Sequence, residues 1–297
     1  MLTPPRFSRF IAVDWSGAVG ERHRAIAVAM ADDTGGPPVL VKRDKGWSRA
    51  EVLALLRDDL PPGTLVGLDL GIALPFADRG AYFPGWEQSP RTAPALWQLV
   101  DDICASDPHL AATTLVDHPE ASRHFRRHGG REGDAFGGGR GRFRVAELVQ
   151  EVQGCKPYSN FNLVGAAQVG KSSLTGMRML HRLRGHLPVW PIDPLPSGPG
   201  AAGGSSLVVE IYTTIAAIAA GRSAGRSKMR RVEELNAALA NLGSPPVTGS
   251  GAIDDHSTDA LLTAAWLRTR ADRPELWKPA RLTPQIAQTE GWTFGVM

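Results

Sequence analysis

The sequence predicts an α/β fold built on one mixed β-sheet, in which an antiparallel three-stranded meander continues into parallel strands and helices flank the sheet. The first 42 residues contain three short apolar runs separated by turn residues, a pattern typical of consecutive hairpins. A helical pattern then leads to an almost wholly apolar run at 64–70, and strands joined through a helix lie parallel in a sheet. A long amphipathic pattern at 256–270 predicts a closing helix.

Composition excludes several classes of protein. The 297 residues are 42% hydrophobic and 21% charged, which is ordinary globular usage and excludes wholesale disorder or a fibrous repeat. No apolar run reaches the roughly 18 residues of a membrane helix, and the first residues lack the apolar stretch of a secretory signal. Two cysteines, Cys104 and Cys155, are too few for a disulfide framework. We therefore expect a soluble cytoplasmic protein that does not bind a membrane.

Turn chemistry defines the elements of the first quarter of the chain. Strands are expected at 9–15, 24–31 and 38–42. Ser48 followed by Glu51 forms a capping-box pattern, and the helix that it begins must end before the Pro-Pro-Gly sequence at 61–63. The run at 64–70 carries a single acid near its end, so it is predicted as a strand buried on both faces.

The middle of the chain is rich in proline and glycine, and it is predicted as a large insertion within a single domain. The core is expected at 8–75 and 205–272, and the insertion at about 76–204. One further buried strand is predicted at 206–212. The remaining helices are expected at 94–104, 143–152, 174–184, 214–220, 228–242 and 256–270.

Three of the predicted strands are almost wholly apolar except for one acid each. These acids are Asp14, Asp69 and Glu210. An unpaired carboxylate in a buried strand costs several kcal/mol, and a bound divalent cation removes that cost. The closing helix adds further donors at spacings of three and four residues, which share one helix face: Asp255, His256 and Asp259. Hard oxygen ligands in this number favour Mg²⁺ or Mn²⁺ over zinc.

Each acid also has a purely structural explanation. Asp14 can end its strand in an Asx turn, Glu210 can pair with an arginine, and Asp255 can cap the helix. The joint order of three strands and a helix, with an acid near the end of each strand, favours the metal site.

Basic residues cluster in two segments. Between 123 and 144 the chain has seven arginines against two acidic residues, and a second run at 222–231 contains no acid. Such clusters are typical of surfaces that contact phosphates. The candidate nucleic-acid contacts are Arg123, Arg126, Arg127, Arg140, Arg142 and Arg144.

Short motifs distributed over most of the chain resemble those of a known family. They are Val13-Asp-Trp-Ser-Gly17, Gly67-Leu-Asp-Leu-Gly71, Leu74-Pro75, Glu210-Ile-Tyr212, Asp259-Ala-Leu-Leu262 and Glu290-Gly-Trp-Thr-Phe-Gly295. They resemble a family of uncharacterised bacterial proteins, domain of unknown function 429, which are regarded as predicted nucleases with a ribonuclease H-like fold. The segment from His256 to Asp259 is also similar to the final helix of Holliday-junction resolvases. The resemblance implies a ribonuclease H-like mixed sheet and hydrolysis of a nucleic acid.

The expected chemistry is hydrolysis of phosphodiester bonds in DNA or RNA by a two-metal carboxylate site. In such a site one ion activates a water for in-line attack and the other stabilises the leaving oxygen. The expected ligands of Mg²⁺ or Mn²⁺ are Asp14, Asp69, Glu210, Asp255 and Asp259, with Asp14 as the bridging ligand. His256 is expected either as a further ligand or as a proton carrier.

Two alternatives remain open at the level of sequence. The segment 165–172 matches the phosphate-binding pattern GxxxxGK[ST] in full, which predicts a nucleotide-binding protein or NTPase if a strand at 161–164 precedes it. The binding residues would then be Gly165, Gly170, Lys171 and Ser172. An actin-like or sugar-kinase-like phosphotransferase would use the turn after Asp14 for phosphate, but such proteins carry a second copy of the meander, and none is visible.

Overall fold

The structure, a computed structural model, describes residues 4–165, 169–196 and 204–297. Its strands are β1 (Arg9–Asp14), β2 (Arg22–His23), β3 (Ala27–Asp32), β4 (Val39–Leu40), β5 (Trp47–Ser48), β6 (Thr64–Asp69), β7 (Arg126–Arg127), β8 (Arg131–Glu132), β9 (Val189–Trp190) and β10 (Leu207–Glu210). Its α-helices are α1 (Arg49–Asp58), α2 (Ala93–Ile103), α3 (Thr113–Val116), α4 (Val145–Val152), α5 (Val169–Leu183), α6 (Thr213–Ala219), α7 (Val232–Asn241), α8 (Asp255–Arg270) and α9 (Pro284–Thr289). None of the described helices is long and apolar enough to cross a membrane.

The main sheet has six strands in the order β4-β3-β1-β6-β10-β9. Strands β4, β3 and β1 are antiparallel neighbours and form the predicted meander. Strand β6 pairs with β1 in parallel, and β10 pairs in parallel with both β6 and β9. The predicted α/β class with a mixed sheet flanked by helices is therefore confirmed.

Successive residues of the central strands pack into two separate apolar clusters, one on each face of the sheet. Ile11 and Val13 of β1 belong to the cluster that includes α1, α2 and α5. Phe10 and Ala12 belong to the cluster that includes α6, α7 and α8. This alternation is the period-two geometry of a strand, and it fixes which face each polar residue of β1, β6 and β10 points to.

The capping box predicted from Ser48 and Glu51 is present. The Ser48 hydroxyl accepts from the Glu51 backbone N–H at 3.1 Å, and the Glu51 carboxylate accepts from the Ser48 N–H at 2.8 Å. These contacts satisfy two of the N–H groups that a helix leaves unpaired at its start. The start of α1 can therefore be predicted from the sequence alone.

The segment 76–204, predicted as an insertion, contributes directly to the sheet and its cover. Strand β9 forms an edge of the main sheet, and α2 packs against α5 over one face. The chain after 272 also enters the core, where Trp292 and Phe294 are fully buried. Thr293 forms an isolated bridge with Glu210 at the end of β10.

Several local predictions are wrong, since α5 begins at Val169 rather than at 174 and two further differences bear on the site. The segment 161–164 is not a strand, since only Asn162 forms a single bridge, to Arg126. Helix α7 begins at Val232 rather than at 228, because Arg231 pairs instead with Ala252 in an extended bridge. This extended start brings the preceding residues, including Lys228, to the end of the sheet.

Candidate active site

Two carboxylates meet at the carboxyl ends of the central strands. Asp14 ends β1 and Asp69 ends β6, and the parallel register places the two residues directly opposite each other. Neighbouring strands lie about 4.8 Å apart, so the two side chains begin close together. Asp14 lies two positions after Ala12, and Asp69 lies two positions after Gly67, and both of these earlier residues face α8. Because residues two positions apart in a strand share a face, both carboxylates point toward α8.

Helix α8 brings the third carboxylate. It begins at Asp255 because the Asp254 side chain accepts the Ser257 N–H at 2.8 Å, which caps the helix. The helix can approach the sheet closely because β6 has a glycine there: a Cβ on Gly67 would lie 3.0 Å from a methyl carbon of Leu267. Asp259, one turn into α8, is only 5% exposed.

Hydrogen bonds connect the acids of this site to basic and hydroxyl groups. His256 Nδ1 lies 3.1 Å from the Asp14 carboxylate, and the Lys228 ammonium binds the Asp259 carboxylate. The Thr213 hydroxyl donates to Asp69 at 3.3 Å. We call the group of Asp14, Asp69, Asp259, His256 and Lys228 the acid cluster. Asp255 lies at its margin, 3.9 Å from the exposed guanidinium of Arg230.

Burial and mutual repulsion disfavour the charged forms of all three aspartates. Burial raises the pKa of Asp14, although His256 opposes the shift. Burial, together with Asp14 and Asp259, raises the pKa of Asp69 well above its ordinary value. Burial also raises the pKa of Asp259 to about 6, against the opposing effect of Lys228. Perturbed carboxylates in one place are typical of functional sites.

The surrounding carboxylates favour the charged forms of the two basic groups of the acid cluster. The hydrogen bond with Asp14 raises the pKa of His256, so that its imidazole carries a proton to higher pH than a free histidine. Burial alone would lower the pKa of Lys228, but Asp259, Asp14 and Asp69 outweigh it and raise that pKa. With all three aspartates ionised, the cluster holds more negative than positive charge even when His256 is protonated.

Lys228 is the member of the cluster that sequence reasoning missed. It belongs to the basic run at 222–231, which the sequence presented only as a surface for phosphate. The contact with Asp259 spans 31 residues and depends on the extended segment before α7, a tertiary feature that local patterns do not encode.

The residues of the cluster fit a hard divalent cation in chemistry but do not form a completed site. Over the described ranges, no three or more His, Cys, Asp or Glu side chains are arranged to hold a metal ion. The donors are nevertheless carboxylate oxygens, the ligands that Mg²⁺ and Mn²⁺ prefer, and their charges raise one another's pKa. In this conformation the Lys228 ammonium supplies the counter-charge to Asp259.

Glu210 does not belong to the acid cluster, and its prediction as a metal ligand is corrected. Its partner in β6 is Leu68 rather than Asp69, so its register differs by one residue from that of Asp14 and Asp69, which lie opposite each other. The preceding Val208 packs in the cluster of α1, α2 and α5, and Glu210 points to that same face. Its oxygens accept from the Arg144 guanidinium at 2.5 and 2.7 Å, and from the Ile72 N–H and the Thr293 hydroxyl.

Arg144 lies at the centre of a buried ionic network. Its side chain is 1% exposed and binds both Glu210 and Glu147, and it also donates to the Glu290 carbonyl. The Glu290 carboxylate in turn accepts three backbone N–H groups, from Phe76, Ala77 and Val145. Arg144 therefore joins β10 to α4 and the C-terminal segment, and it does not contact nucleic acid from the surface.

Arg142 is likewise buried, which corrects its prediction as a nucleic-acid contact. Its guanidinium binds Asp78 and donates to three backbone carbonyls, those of Pro75, Ala81 and Tyr82. All three guanidinium nitrogens of Arg142 donate hydrogen bonds within the protein, so the residue fixes the loop after β6.

The other four predicted arginines are more exposed, but each already has a carboxylate partner. The pairs are Arg123 with Asp134, Arg126 with Glu132, Arg127 with Asp117, and Arg140 with Glu151. Asp117 and Glu151 lie outside the segment in which the charges were counted. The segment 123–144 is therefore much less positive in three dimensions than in sequence.

The GxxxxGKS segment lacks the strand that its nucleotide-binding interpretation requires. Gly165 is described, residues 166–168 lie outside the described ranges, and Gly170, Lys171 and Ser172 lie in the first turn of α5. The close approach of this turn to the loop after β1 explains Gly17, where a Cβ would overlap the Lys171 and Ser172 backbone, and a Cβ on Gly170 would overlap the Asn160 carbonyl. The segment packs against the loop after Asp14.

A cavity of ≈260 Å³ opens beside the acid cluster, with Asp69 in its wall. The buried network contributes Arg144, Glu147 and Glu210, and the first turn of α5 contributes Ser172. Gln150, Asn160 and the aromatic side chains Trp15, Tyr158 and Tyr212 also line it. A ligand in this cavity would contact Asp69.

Comparison of the chain with protein-family models, with curated proteins and with solved structures found no match. The functional conclusion therefore depends on the residues of the site themselves.

Proposed function

We propose that the protein hydrolyses phosphodiester bonds of a nucleic acid with Mg²⁺ or Mn²⁺ held by the acid cluster. The observation that carries this proposal is the convergence of Asp14, Asp69 and Asp259, from two adjacent parallel strands and a helix, at one end of the sheet. A fold that buries three mutually repelling carboxylates pays a cost in stability, and binding of a cation offsets it.

The order of the sheet supports the same proposal. A meander followed by parallel strands, with acids on the first strand, the fourth strand of the main sheet and the closing helix, is the arrangement that the resemblance to ribonuclease H-like nucleases predicts. Strand β1 lies at the centre of this arrangement, between β3 and β6. Asp14 is therefore the best placed of the three acids to serve as the shared ligand.

The residues of the cluster have separate roles in the proposed reaction. Asp14, Asp69 and Asp259 would hold the metal, which when bound supplies Lewis-acid activation of a water and of the phosphate. His256 uses Nδ1 to contact Asp14, which leaves Nε2 to exchange a proton with the leaving oxygen or with solvent. The hydrogen bond with Asp14 raises the pKa of His256 and so favours its protonated form.

The basic residues next to the cluster supply the phosphate contact. Lys228 reaches the site from one side, and Arg230, whose side chain is 78% exposed, lies next to Asp255. These cations are placed to attract a phosphate toward carboxylates that would otherwise repel it. The run at 222–231 also contains ion pairs, but it adjoins the acid cluster, and it is therefore a better candidate for backbone binding than the arginines of 123–144.

The proposal is tested by cleavage of labelled DNA, RNA and hybrid substrates in Mn²⁺. We expect the parent protein to cleave at least one substrate and Asp14→Asn to reduce the rate about 100-fold or more, since a lost metal ligand removes several kcal/mol of stabilisation. Asp33→Asn is the matched control, because Asp33 is an exposed acid beyond the far end of β3 and its variant should retain full activity. Equal activity of Asp14→Asn and the parent would refute the assignment.

A further inference from the structure

We propose that the cavity beside Asp69 is a pocket for one nucleobase, so that the substrate is a nucleotide whose base is unstacked. The inference deepens the proposed function, on which it rests for the position of the phosphate. It predicts a single strand, a loop or a junction as the substrate, rather than a continuous duplex.

The size and lining of the cavity fit a flat aromatic ligand. Its ≈260 Å³ is just below the roughly 300 Å³ at which pockets for drug-sized molecules begin, which suits a group the size of a base with its sugar. Trp15, Tyr158 and Tyr212 lie in its wall, and aromatic side chains are the usual surfaces on which unpaired bases stack. Tyr158 is 50% exposed, so it stands at the mouth of the cavity.

Asn160 provides a polar group that lacks its partner. The side chain is 1% exposed, and its Nδ2 donates to the Ala73 carbonyl at 2.9 Å, which fixes the orientation of the amide. Within the described residues its Oδ1 has no hydrogen-bond partner. A buried acceptor without a donor is costly, and a ligand with an N–H group on its edge would satisfy it.

Glycine allows this placement of Asn160. A Cβ on Gly71 would overlap the Asn160 amide, so the loop after β6 has room for the side chain only because residue 71 is glycine. The same loop follows Asp69 directly. The Asn160 side chain thus packs against the loop that begins at the acid cluster.

The charge of the wall excludes a phosphate from the cavity itself. Arg144, its one cation among the described lining residues, is already bound by Glu147 and Glu210. Asp69 and these two glutamates give the wall an acidic character. The cavity therefore favours a neutral group rich in N–H donors, and a nucleobase meets this requirement while its phosphate stays over the acid cluster.

Binding experiments test the pocket without relying on cleavage. Fluorescence anisotropy would compare single-stranded octanucleotides that carry bases with an abasic octamer of the same backbone, in Ca²⁺ in place of Mn²⁺, with strand integrity checked on a gel. We expect the parent to bind the base-bearing strands about 10-fold more tightly, which one stacked and hydrogen-bonded base supplies. Adenosine monophosphate and a blunt duplex serve as further ligands.

Two variants and one matched control separate the pocket from general effects. Asn160→Ala should abolish the preference for bases, and Tyr158→Ala, at an exposed position, should reduce it about 5-fold. Asn162→Ala is the control, because Asn162 also has a buried Oδ1 without a described partner but does not line this cavity. Melting temperatures verify that each variant is folded.

The outcomes are distinct. A base preference that depends on Asn160 and Tyr158 supports the pocket, and stronger binding of octamer than of adenosine monophosphate identifies a nucleic acid rather than a free nucleotide as the source. Equal binding of base-bearing and abasic strands, or of the parent and both variants, overturns the inference. An intact base preference together with cleavage that does not depend on Asp14 would refute the proposed function but would still support the base pocket.

Discussion

Ionisation of Asp259 is costly in the folded protein because the side chain is buried. Its pKa, ordinarily 3.8, is raised to about 6 in the folded chain. The folded state then holds this proton more tightly than the unfolded state, so stability falls as pH rises from about 4 to 6 and stays lower above that range. We predict that Asp259→Asn raises the free energy of unfolding by about 1 to 3 kcal/mol near pH 7.5 and changes it little near pH 4.

Urea denaturation in EDTA at the two pH values measures this difference. Addition of Mn²⁺ should reverse the order at neutral pH, because binding to the folded state stabilises the parent more than the variant. Asp33→Asn, with an exposed carboxyl, provides the control and should follow the parent throughout. A variant less stable than the parent at neutral pH in EDTA would show that Asp259 acts mainly as the partner of Lys228.

Arg144 is predicted to be structural. Arg144→Met leaves Glu147 and Glu210 buried without their cation, and breaking a buried ion pair in this way costs about 3 to 5 kcal/mol. Thermal and urea unfolding measure the loss. Arg123→Met, at an exposed pair with Asp134, should change stability by less than about 1 kcal/mol. If Arg144→Met were as stable as Arg123→Met, the buried network would not hold β10 to α4.

The strand acids show what residue patterns can and cannot predict. One acid in each apolar run was visible in the sequence, and the alternative that Glu210 pairs with an arginine was visible as well. A run that is apolar on both faces carries no period-two signal, so the face of each acid was hidden. The parallel register places Glu210 opposite Leu68 and Asp14 opposite Asp69, and it therefore determines which face of the sheet each acid occupies.

At the scale of elements, the start of α5 is packed against the loop that follows β1. A Cβ on Gly17 would overlap the backbone of Lys171 and Ser172, which cannot move as a side chain could. We predict that Gly17→Ala destabilises the protein by about 1 to 3 kcal/mol and lowers Mn²⁺-dependent cleavage, because it displaces the loop that begins at Asp14. Circular dichroism and the cleavage assay measure the two effects.

Gly36 supplies the matched glycine for this comparison. An added Cβ there would meet only the Thr34 hydroxyl at 3.9 Å, so Gly36→Ala should leave activity unchanged. Full activity and stability of Gly17→Ala would show that α5 is free to shift away from β1, and the close packing would then have no role in positioning Asp14.

Element prediction succeeded where the local chemistry was complete. The capping box of α1 and the apolar runs of β1 and β6 needed no distant information. The segment 161–164 had strand-like residues but no strand beside it to pair with along its length, which sequence alone could not reveal. Asn160, the polar group of the proposed base pocket, gave no signal because its role depends on a loop 87 residues away.

At the scale of the whole molecule, the distribution of positive charge differs from that along the chain. Arginines of 123–144 have close carboxylate partners, whereas Arg226 and Arg230 are exposed two residues before and after Lys228, and the contact of Arg230 with Asp255 is long at 3.9 Å. We predict that the double variant Arg226→Ala/Arg230→Ala binds single strands about 5- to 20-fold more weakly. Its slope of log affinity against log salt should be smaller by about 1 to 2, because two phosphate contacts are lost.

Arg123→Ala/Arg126→Ala is the comparison, since it removes the same charge from guanidinium groups that Asp134 and Glu132 already bind. It should change affinity by less than about 3-fold, because binding to phosphate would first require these ion pairs to break. Titrations at several salt concentrations measure both variants. A larger loss in the comparison variant would restore 123–144 as the main nucleic-acid surface.

The central claim is that Asp14, Asp69 and Asp259 form a metal site at the end of a mixed sheet. Anomalous diffraction from crystals soaked in Mn²⁺ tests it most directly, since the signal locates the ion without reference to activity. We predict an anomalous peak within bonding distance of the Asp14 and Asp69 carboxylates, with Asp259 as a further ligand or neighbour. A peak at the Glu210 and Arg144 network instead, or no peak at the acid cluster in crystals of a protein that cleaves in Mn²⁺, would contradict it.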